Sequence, residues 1–251
     1  MGLQTPLAFA GMLSVRAVIE SGSRPIRALY YDASRKAAHE KELAWLRHRS
    51  EEMGFPIHLT DGEALCALAG SATHGGICAL CAERPLRPAA PEDLPDDGFY
   101  LMLAGIEDPY NFGFAVRSAY AAGVNGILLP PRNWMDSAGV VCRSSAGASE
   151  RIPMYLAPDA HALAPFRERG YEIVAADLRE SEPLWDARLA RPLVLIVGGE
   201  KRGISRSLLD VCDRRVHIPY GRDFDASLSA ASAAAILCFE AARQQTNGET
   251  R

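Results

Sequence analysis

Three segments carry residues whose types and spacing could do chemistry. The first, DPYNFGFAVRSAYAAG at residues 108–123, follows an apolar run and contains Asn111, Gly113 and Arg117 in an NxGxxxR pattern. Asn111 can cap the following helix by accepting a hydrogen bond from a free backbone N–H. Gly113 and Arg117 are four residues apart and share a helical face, so the glycine leaves space beside the guanidinium. This arrangement suits an anionic ligand, but taken alone it favours a capped helix with a solvated arginine.

The second segment is LVLIVGGEKRGIS, residues 193–205. Gly198 and Gly199 follow a buried apolar strand and permit a turn whose backbone amides can approach a ligand closely. Glu200 then stands at the mouth of the predicted sheet. The segment lacks GxxxxGK[ST] and a GxGxxG that opens a helix, which argues against nucleoside triphosphate and dinucleotide cradles. An ordinary strand-to-helix turn fits this segment equally well.

The third segment is VHIPYGRDFDASLSAASAAAILCFEAARQQ, residues 216–245. A strand ends at Pro219, a polar loop follows, and Ser227 is the expected N-cap of a closing helix. The small side chains after Ser227 permit another backbone to approach closely. Taken alone, the segment favours a tightly packed core helix over a site.

Alternating strands and helices must position these three segments. A proline-rich stretch, RPLRPAAPEDLPDDG at residues 84–98, divides the chain into two parts. Strand and helix patterns alternate after it, which predicts a mostly parallel sheet covered on both faces. The shorter part before it predicts a small α/β domain. We therefore expect an N-terminal domain over 1–86, a linker over 87–98 and a second α/β domain over 99–247.

Composition narrows the class of protein. The chain has 251 residues, 48% hydrophobic and 23% charged, which is typical of a folded globular protein. Its formal net charge of −4 argues weakly against nucleic acid as a partner, so RNA binding would need local basic groups. The N-terminal residues lack a signal-peptide pattern and no run reaches transmembrane length, which favours a cytoplasmic protein without a membrane partner.

The cysteines favour buried reduced thiols over a metal site, because a single CxxC pair has no second pair of ligands. The cysteines are Cys66, Cys78, Cys81, Cys142, Cys212 and Cys238.

The three segments, in this order and spacing, resemble the SpoU family of RNA ribose 2'-O-methyltransferases, also called the TrmH family, within the SPOUT superfamily. Two further segments support the resemblance. SSAGASE at 144–150 is similar to the family's SAGA segment, and THGGICA at 73–79 is similar to its HQG segment. The layout is closest to the type that has an N-terminal RNA-binding domain and methylates guanosine in 23S ribosomal RNA.

The resemblance implies a fold, a cofactor and partners. It implies a C-terminal α/β domain with a trefoil knot, an obligate homodimer, S-adenosylmethionine as cofactor and no metal. It also implies that the N-terminal domain binds RNA, most simply ribosomal RNA. A tRNA methyltransferase and a cofactor-binding but catalytically silent RNA-binding or ribosome-assembly protein remain alternatives.

The resemblance also implies site residues. Those implied in catalysis are Asn111, Arg117, Glu200 and Ser229, with Arg117 taken to reach the reaction centre of the partner subunit. Those implied in cofactor binding are Gly198, Gly199, Ile218, Pro219, Ser227 and Leu228. Ser229 is a departure, because family members usually have asparagine there, and the choice between an enzyme and a silent relative depends on it.

The implied reaction is an in-line displacement in which a ribose 2'-hydroxyl attacks a sulfonium methyl group. A guanidinium is always protonated in proteins, so we expect Arg117 to grip an RNA phosphate and stabilise the developing alkoxide rather than act as a base. Glu200 and Asn111 would orient that arginine or the ribose. Local basic groups for RNA contact are Arg16, Arg24, Arg27, Arg35, Lys36, Arg47, Arg49, Lys201, Arg202 and Arg206.

Overall fold

The structure is a computed structural model that describes residues 5–35, 40–131 and 136–248. The chain divides into two compact units. The first comprises Met1–Pro85 and Met135–Arg151, and the second comprises Leu86–Trp134 and Ile152–Arg251. The first unit therefore contains a segment that is distant from it in sequence.

A four-stranded sheet forms the centre of the first unit. Its strands are β1 (Leu7–Ala10), β2 (Ile26–Asp32), β3 (Ile57–Thr60) and β4 (Ile77–Cys81), in the order β1-β4-β2-β3. The β2 and β3 strands are parallel, and the other pairs are antiparallel. The helices of this unit are α1 (Met12–Ser21), α2 (Glu40–Met53), α3 (Gly62–Ala69), α5 (Ala138–Ser144) and α6 (Ala148–Arg151). This small mixed sheet with helices confirms the predicted N-terminal α/β architecture.

An ion pair inside the first unit ties α6 to the start of β2. Arg24 is only 6% exposed and donates from Nε and Nη2 to the two carboxylate oxygens of Glu150, at 2.9 and 3.1 Å. Ser23 Oγ donates to the same carboxylate at 2.6 Å, and the guanidinium lies 4.7 Å from the ring centroid of Phe9. Bidentate geometry and added hydrogen bonds are what a buried pair needs to offset the desolvation of its charges.

The second unit is built on a seven-stranded sheet in which every pair of named strands is parallel. The strands are β5 (Phe99–Ala104), β6 (Gly126–Leu129), β7 (Met154–Leu156), β8 (Glu172–Ala176), β9 (Glu182–Pro183), β10 (Leu193–Gly198) and β11 (Arg214–His217), in the order β7-β6-β5-β10-β8-β11-β9. Its helices are α4 (Pro109–Ala121), α7 (Ala164–Glu168), α8 (Arg206–Leu209) and α9 (Ala230–Gly248). The predicted parallel α/β fold is confirmed.

The core of the second unit follows from unbroken apolar strands. All six residues of β5 are buried, as are the first five of β10, as expected for strands covered on both faces. Tyr100 of β5 packs edge-on against Phe166, with ring centroids 5.0 Å apart. Helices α4 and α9 pack against each other.

The proline-rich stretch contains no α-helix and no named strand, as predicted, and part of it is buried. Ala89 and Leu94 are buried in the core of the second unit, and Arg87 forms an ion pair with Asp93 at 2.6 Å. The second unit therefore begins at Leu86.

The cysteines are free thiols. Four are buried as predicted, whereas Cys66 and Cys212 are half-buried. Burial raises the pKa of Cys78 to about 11 and that of Cys81 to about 12, so this CxxC pair is protonated at neutral pH. In the part of the chain that the structure describes, no group of three His, Cys, Asp or Glu residues could hold a metal ion. The helices within those same ranges include none that is long and apolar enough to cross a membrane.

Candidate functional site

The carboxyl ends of two central strands bring two of the predicted segments together. Strands β5 and β10 are adjacent and parallel, with Ala104 paired to Gly198. The loops that follow them therefore leave the same edge of the sheet, which is where open parallel α/β sheets bind ligands. Asn111 comes from the first loop and its helix, and Glu200 comes from the second.

Glu200 joins the beginnings of two helices. Its Oε1 accepts a hydrogen bond from Asn111 Nδ2 at 3.1 Å and another from the backbone N of Ala230 at 3.2 Å. Asn111 lies in the first turn of α4, and Ala230 is the first residue of α9. A carboxylate at helix N-termini is stabilised by unpaired backbone N–H groups and by the helix dipole. The structure thus brings together two predicted catalytic residues, Asn111 and Glu200.

The cap of α4 differs from the prediction. The N-cap is Asp108, whose carboxylate accepts hydrogen bonds from the backbone N of Tyr110 at 3.1 Å and of Asn111 at 3.4 Å. Pro109 follows as the first helical residue, a position that proline favours because its missing N–H would be unpaired there. The expectation that Asn111 caps the helix is wrong, and its side chain is free to bind Glu200.

The beginning of α9 also differs. The helix starts at Ala230, and Ser229 Oγ accepts from the backbone N of Ser232 at 3.1 Å. Ser229 O accepts the first intrahelical bond, from Ala233 N at 2.9 Å. These are the two hydrogen bonds of an N-cap residue, so the cap is Ser229 and not the predicted Ser227.

A cavity of about 340 Å³ lies beside this junction, at the carboxyl ends of β8, β10 and β11. We call it the main cavity because most of the predicted cofactor residues line it. Five of the six residues predicted to bind cofactor line it: Gly198, Gly199, Ile218, Ser227 and Leu228. Glu200 also lines it. Pro219 instead lines a neighbouring cavity, together with Tyr220 and Leu228.

Sequence reasoning missed part of this cavity. Asp177, Leu178 and Arg179, which follow β8, line it, as does Tyr220. The apolar strand pattern at residues 172–176 could have predicted these residues, because a parallel strand must end at the same edge of the sheet as its neighbours. Only the strand order places β8 between β10 and β11.

The two glycines after β10 serve close backbone packing. A Cβ on Gly199 would lie 2.0 Å from the carbonyl oxygen of Gly105, and one on Gly198 would lie 2.6 Å from the backbone of Gly203. Gly199 N donates to Ala104 O at 2.8 Å. The Gly199 amide is therefore bonded within the protein. Gly199 is required because the loops after β5 and β10 touch, and Gly198 is required because the loop after β10 folds back on its own strand end.

A smaller cavity of about 100 Å³ lies on the other side of Glu200. Asn111, Glu200, Glu107 and Lys201 are among the residues that line it. The ammonium of Lys201 lies 3.1 Å from the Glu107 carboxylate. Polar and charged groups of both signs therefore surround the Asn111–Glu200 hydrogen bond.

Arg117 does not join this constellation within one chain. It lies six residues after Asn111 on α4, which places it about 240° around the helix and about 9 Å along it. Its side chain is exposed, and it makes no hydrogen bond or ion pair within the described ranges. Gly113 is buried on the packed side of α4. The structure therefore separates Arg117 from Asn111 and Glu200.

The other two predicted segments meet in the first unit. His74 Nδ1 accepts from Gly76 N at 3.1 Å, which fixes the turn before β4. Arg143 Nη1 donates to Thr73 Oγ1 at 3.3 Å and so links that turn to the residue that precedes SSAGASE.

The basic residues have diverse environments. Arg24 is buried in its pair with Glu150 and cannot contact RNA, so the prediction that it supplies a basic group for RNA contact is wrong. Arg16 and Arg49 flank the ring of Trp45, with their guanidinium carbons 4.9 and 6.0 Å from its centroid. Arg47 and Arg202 are exposed. Lys36 lies outside the described residues.

A parallel α/β unit with a cavity at the carboxyl ends of its strands is typical of proteins that bind a small ligand there. Comparison with known proteins identifies the family. The SpoU rRNA Methylase family model matches residues 98–239. A model described as RNA 2'-O ribose methyltransferase substrate binding matches residues 10–86.

Curated relatives match over nearly the whole chain. The 23S rRNA (guanosine-2'-O-)-methyltransferase RlmB of Shewanella oneidensis is 32% identical over 243 residues, covering 94% of this chain and 96% of the relative. The protein of the same name from Escherichia coli is 28% identical over 94% of this chain and 98% of its own length. The chain belongs to the SpoU family of methylases.

Solved structures share the fold. The SpoU methyltransferase AviRb from Streptomyces viridochromogenes, crystallised with AdoMet, has a TM-score of 0.78 at 22% identity over 96% of this chain and 91% of that chain. An AdoMet-bound rRNA methyltransferase from Sinorhizobium meliloti has a TM-score of 0.79 at 21% identity over 95% of this chain and 87% of that chain.

Proposed function

We infer that this protein is an S-adenosylmethionine-dependent methyltransferase that methylates a ribose 2'-hydroxyl in ribosomal RNA. The observation that carries this inference is the junction at Glu200, which couples Asn111 and the start of α9 to the wall of the main cavity. The chain's membership of the SpoU family and its curated relatives, which are named as 23S rRNA methyltransferases, support the same activity.

The main cavity fits the cofactor. Its volume of about 340 Å³ is within the range of small-molecule sites. Val197, Ile204, Val216, Ile218 and Leu228 supply apolar walls, which suit an adenine ring and a hydrocarbon chain. The carboxylates of Asp177 and Glu200 also line the cavity and attract a positively charged group. We propose that Gly198, Gly199, Ile218, Ser227 and Leu228 hold the cofactor, whereas Pro219 lines the neighbouring cavity.

When bound, S-adenosylmethionine supplies a methyl group activated by the sulfonium. The protein must then position the ribose and allow the 2'-hydroxyl to lose its proton. Glu200 and Asn111 are held against each other and against α9, so their polar atoms are already oriented. Arg117 stabilises the developing alkoxide and grips a phosphate, since a guanidinium cannot serve as a base at neutral pH.

Because Arg117 lies away from Asn111 and Glu200 on its own helix, we propose that it completes the site of a second subunit in a homodimer. The exposed surface of α4 and α9 supports this proposal. Tyr110, Phe114 and Tyr120 of α4 are 55%, 47% and 46% exposed, and Phe239 of α9 is 50% exposed. Large exposed aromatic side chains on two adjacent helices are typical of a subunit interface.

Ser229 is consistent with an active enzyme. Its hydroxyl caps α9, and serine and asparagine are about equally good N-cap residues. The serine therefore preserves a structural role that asparagine could fill. The trefoil knot implied by the resemblance and the cytoplasmic location remain predictions, and a site without metal is part of this proposal.

Methyl transfer is tested with purified protein, tritiated S-adenosylmethionine and unmodified in vitro transcripts of 23S ribosomal RNA and of tRNA. We expect label in the 23S transcript, resistant to alkaline cleavage at the modified ribose. Arg117→Ala should lower kcat/KM by about 100- to 1000-fold, the usual effect of removing one group that stabilises a developing oxyanion. Arg117→Lys keeps the charge but not the planar fork, so it is the matched control.

Three outcomes are distinguished. Label in the 23S transcript that is lost in Arg117→Ala supports the proposal. Label only in tRNA would move the substrate to the tRNA alternative. Cofactor binding by calorimetry without label in either transcript would identify the silent RNA-binding protein instead.

A further inference from the structure

A second cavity adjoins the one that we assign to the cofactor. It has a volume of about 430 Å³ and is lined by Pro219, Tyr220, Gly221, Arg222, Phe224 and Leu228. Tyr220 and Leu228 also line the main cavity, so the two cavities share a wall. A group bound in the second cavity is therefore separated from the cofactor by one or two side chains.

Two aromatic rings form a platform in this second cavity. Phe224 is 60% exposed and Tyr220 is 38% exposed, and their ring centroids are 6.1 Å apart at an interplanar angle of 54°. The hydroxyl oxygen of Tyr220 accepts a hydrogen bond from the backbone N of Leu228 at 3.0 Å. This bond closes the loop of residues 221–227 and holds the Tyr220 ring in place.

The charges around the platform suit a base better than a phosphate. Arg222 is exposed and makes no hydrogen bond or ion pair in the described ranges, so its guanidinium is available to stack or donate. Asp223 and Asp225 are also exposed and flank Phe224. Asp223 and Asp225 do not line the cavity, but their carboxylates disfavour a phosphate close to the platform. Arg222 lines the cavity and can donate to acceptor atoms on the edge of a base.

We propose that this cavity binds one base of single-stranded RNA, either that of the methylated nucleoside or that of its immediate neighbour. The proposal rests on the proposed function, because a base is joined directly to its ribose and must lie within a nucleoside's length of the transferred methyl group. Single-stranded RNA is typically recognised by unstacked bases that stack on aromatic side chains and arginine. Phe224 provides the stacking face, Tyr220 is the shared wall, and Arg222 stacks on the base or donates to its edge.

The test compares Phe224→Ala with the matched control Phe224→Tyr, which keeps the aromatic face. We measure kcat/KM for the unmodified 23S transcript, Kd for S-adenosylmethionine and the mass of the protein by sedimentation. The loss of one stacked base should lower kcat/KM for RNA by about 10- to 100-fold in Phe224→Ala. Phe224→Tyr should stay within about 3-fold of the unchanged protein, and cofactor Kd and mass should not change.

Other results would overturn the subsite. Unchanged kcat/KM in Phe224→Ala would show that no base stacks there. An equal loss in cofactor affinity would assign the loop to the cofactor, and a change in mass would assign it to a subunit contact. These results are read on a protein that methylates RNA, so they are distinct from a failure of the proposed function, in which the unchanged protein transfers no label.

Discussion

Two arginines of this molecule have the same chemistry and opposite environments. Arg24 of the first unit is buried, bidentate to Glu150 and packed on Phe9. Arg117 of the second unit is exposed and has no partner in the described ranges. A buried paired guanidinium holds a structure together, whereas an exposed unpaired one is available to a ligand or to another subunit.

Two glutamates that lie within the motif segments differ in the same way. Glu150 ends SSAGASE and is 3% exposed in its pair with Arg24. Glu200 is exposed, and its carboxylate accepts hydrogen bonds from two neutral groups, the Asn111 amide and the Ala230 backbone N. Both residues lie in motif segments, but the environment decides that Glu150 is structural and that Glu200 adjoins a cavity.

The largest expected effect on stability is that of breaking the buried pair. Arg24→Ala leaves the Glu150 carboxylate buried without its partner, which should cost about 3–5 kcal/mol. Hydrogen exchange of peptides from β1 and β2 measures the opening free energy of the first unit. The double variant Arg24→Met with Glu150→Leu should recover most of the loss, because it leaves no buried charge. A loss below about 1 kcal/mol in Arg24→Ala would contradict the structural role.

A smaller effect is expected for Glu200→Gln. The amide oxygen can still accept from Asn111 and Ala230, but the charge-assisted part of both hydrogen bonds is lost, at about 1 kcal/mol. Urea unfolding followed by circular dichroism measures the change. Glu107→Gln is the control, since its exposed pair with Lys201 should contribute less. An equal change in both variants would mean that the Glu200 junction stabilises no more than a surface ion pair does.

Removing the N-cap of α9 should lower stability by about as much as Glu200→Gln does, but the change should be confined to the beginning of that helix. Ser229→Ala removes the acceptor for Ser232 N and should cost about 1 kcal/mol, measured by hydrogen exchange at the beginning of α9. Ser229→Asn should change stability by a few tenths of a kcal/mol, and Ser227→Ala should have no effect on the cap. If Ser229→Asn also raises kcat/KM more than about tenfold, asparagine has a role beyond capping, because a few tenths of a kcal/mol cannot account for it.

The smallest effect on stability is expected for Arg117→Ala. Its side chain is exposed and unpaired in one chain, so the free energy of unfolding should change by less than about 0.5 kcal/mol. Thermal unfolding at protein concentrations that span the dissociation of the proposed dimer measures it. A concentration-dependent loss would show that Arg117 contributes to the subunit interface as well as to the reaction.

Much of the second unit could be predicted from the sequence. Apolar runs such as 99–104 and 193–198 are too continuous for half-exposed strands, and their alternation with helical patterns requires a parallel sheet. The carboxyl-end rule then placed Asn111 and Glu200 near each other. The caps could not be predicted with the same certainty, because Asp108 and Asn111, like Ser227 and Ser229, are all acceptable N-cap residues.

The sequence by itself determined the parallel α/β fold, the glycine turn after β10 and the family, because each depends on local patterns and motif order. Only the tertiary structure decided that Ser229 caps α9, that Glu200 bonds both helices and that Arg24 pairs with Glu150. These outcomes depend on which side chains meet across the fold, and burial and hydrogen bonding are set by residues far apart in the chain. Two arginines of identical chemistry acquire opposite roles for that reason.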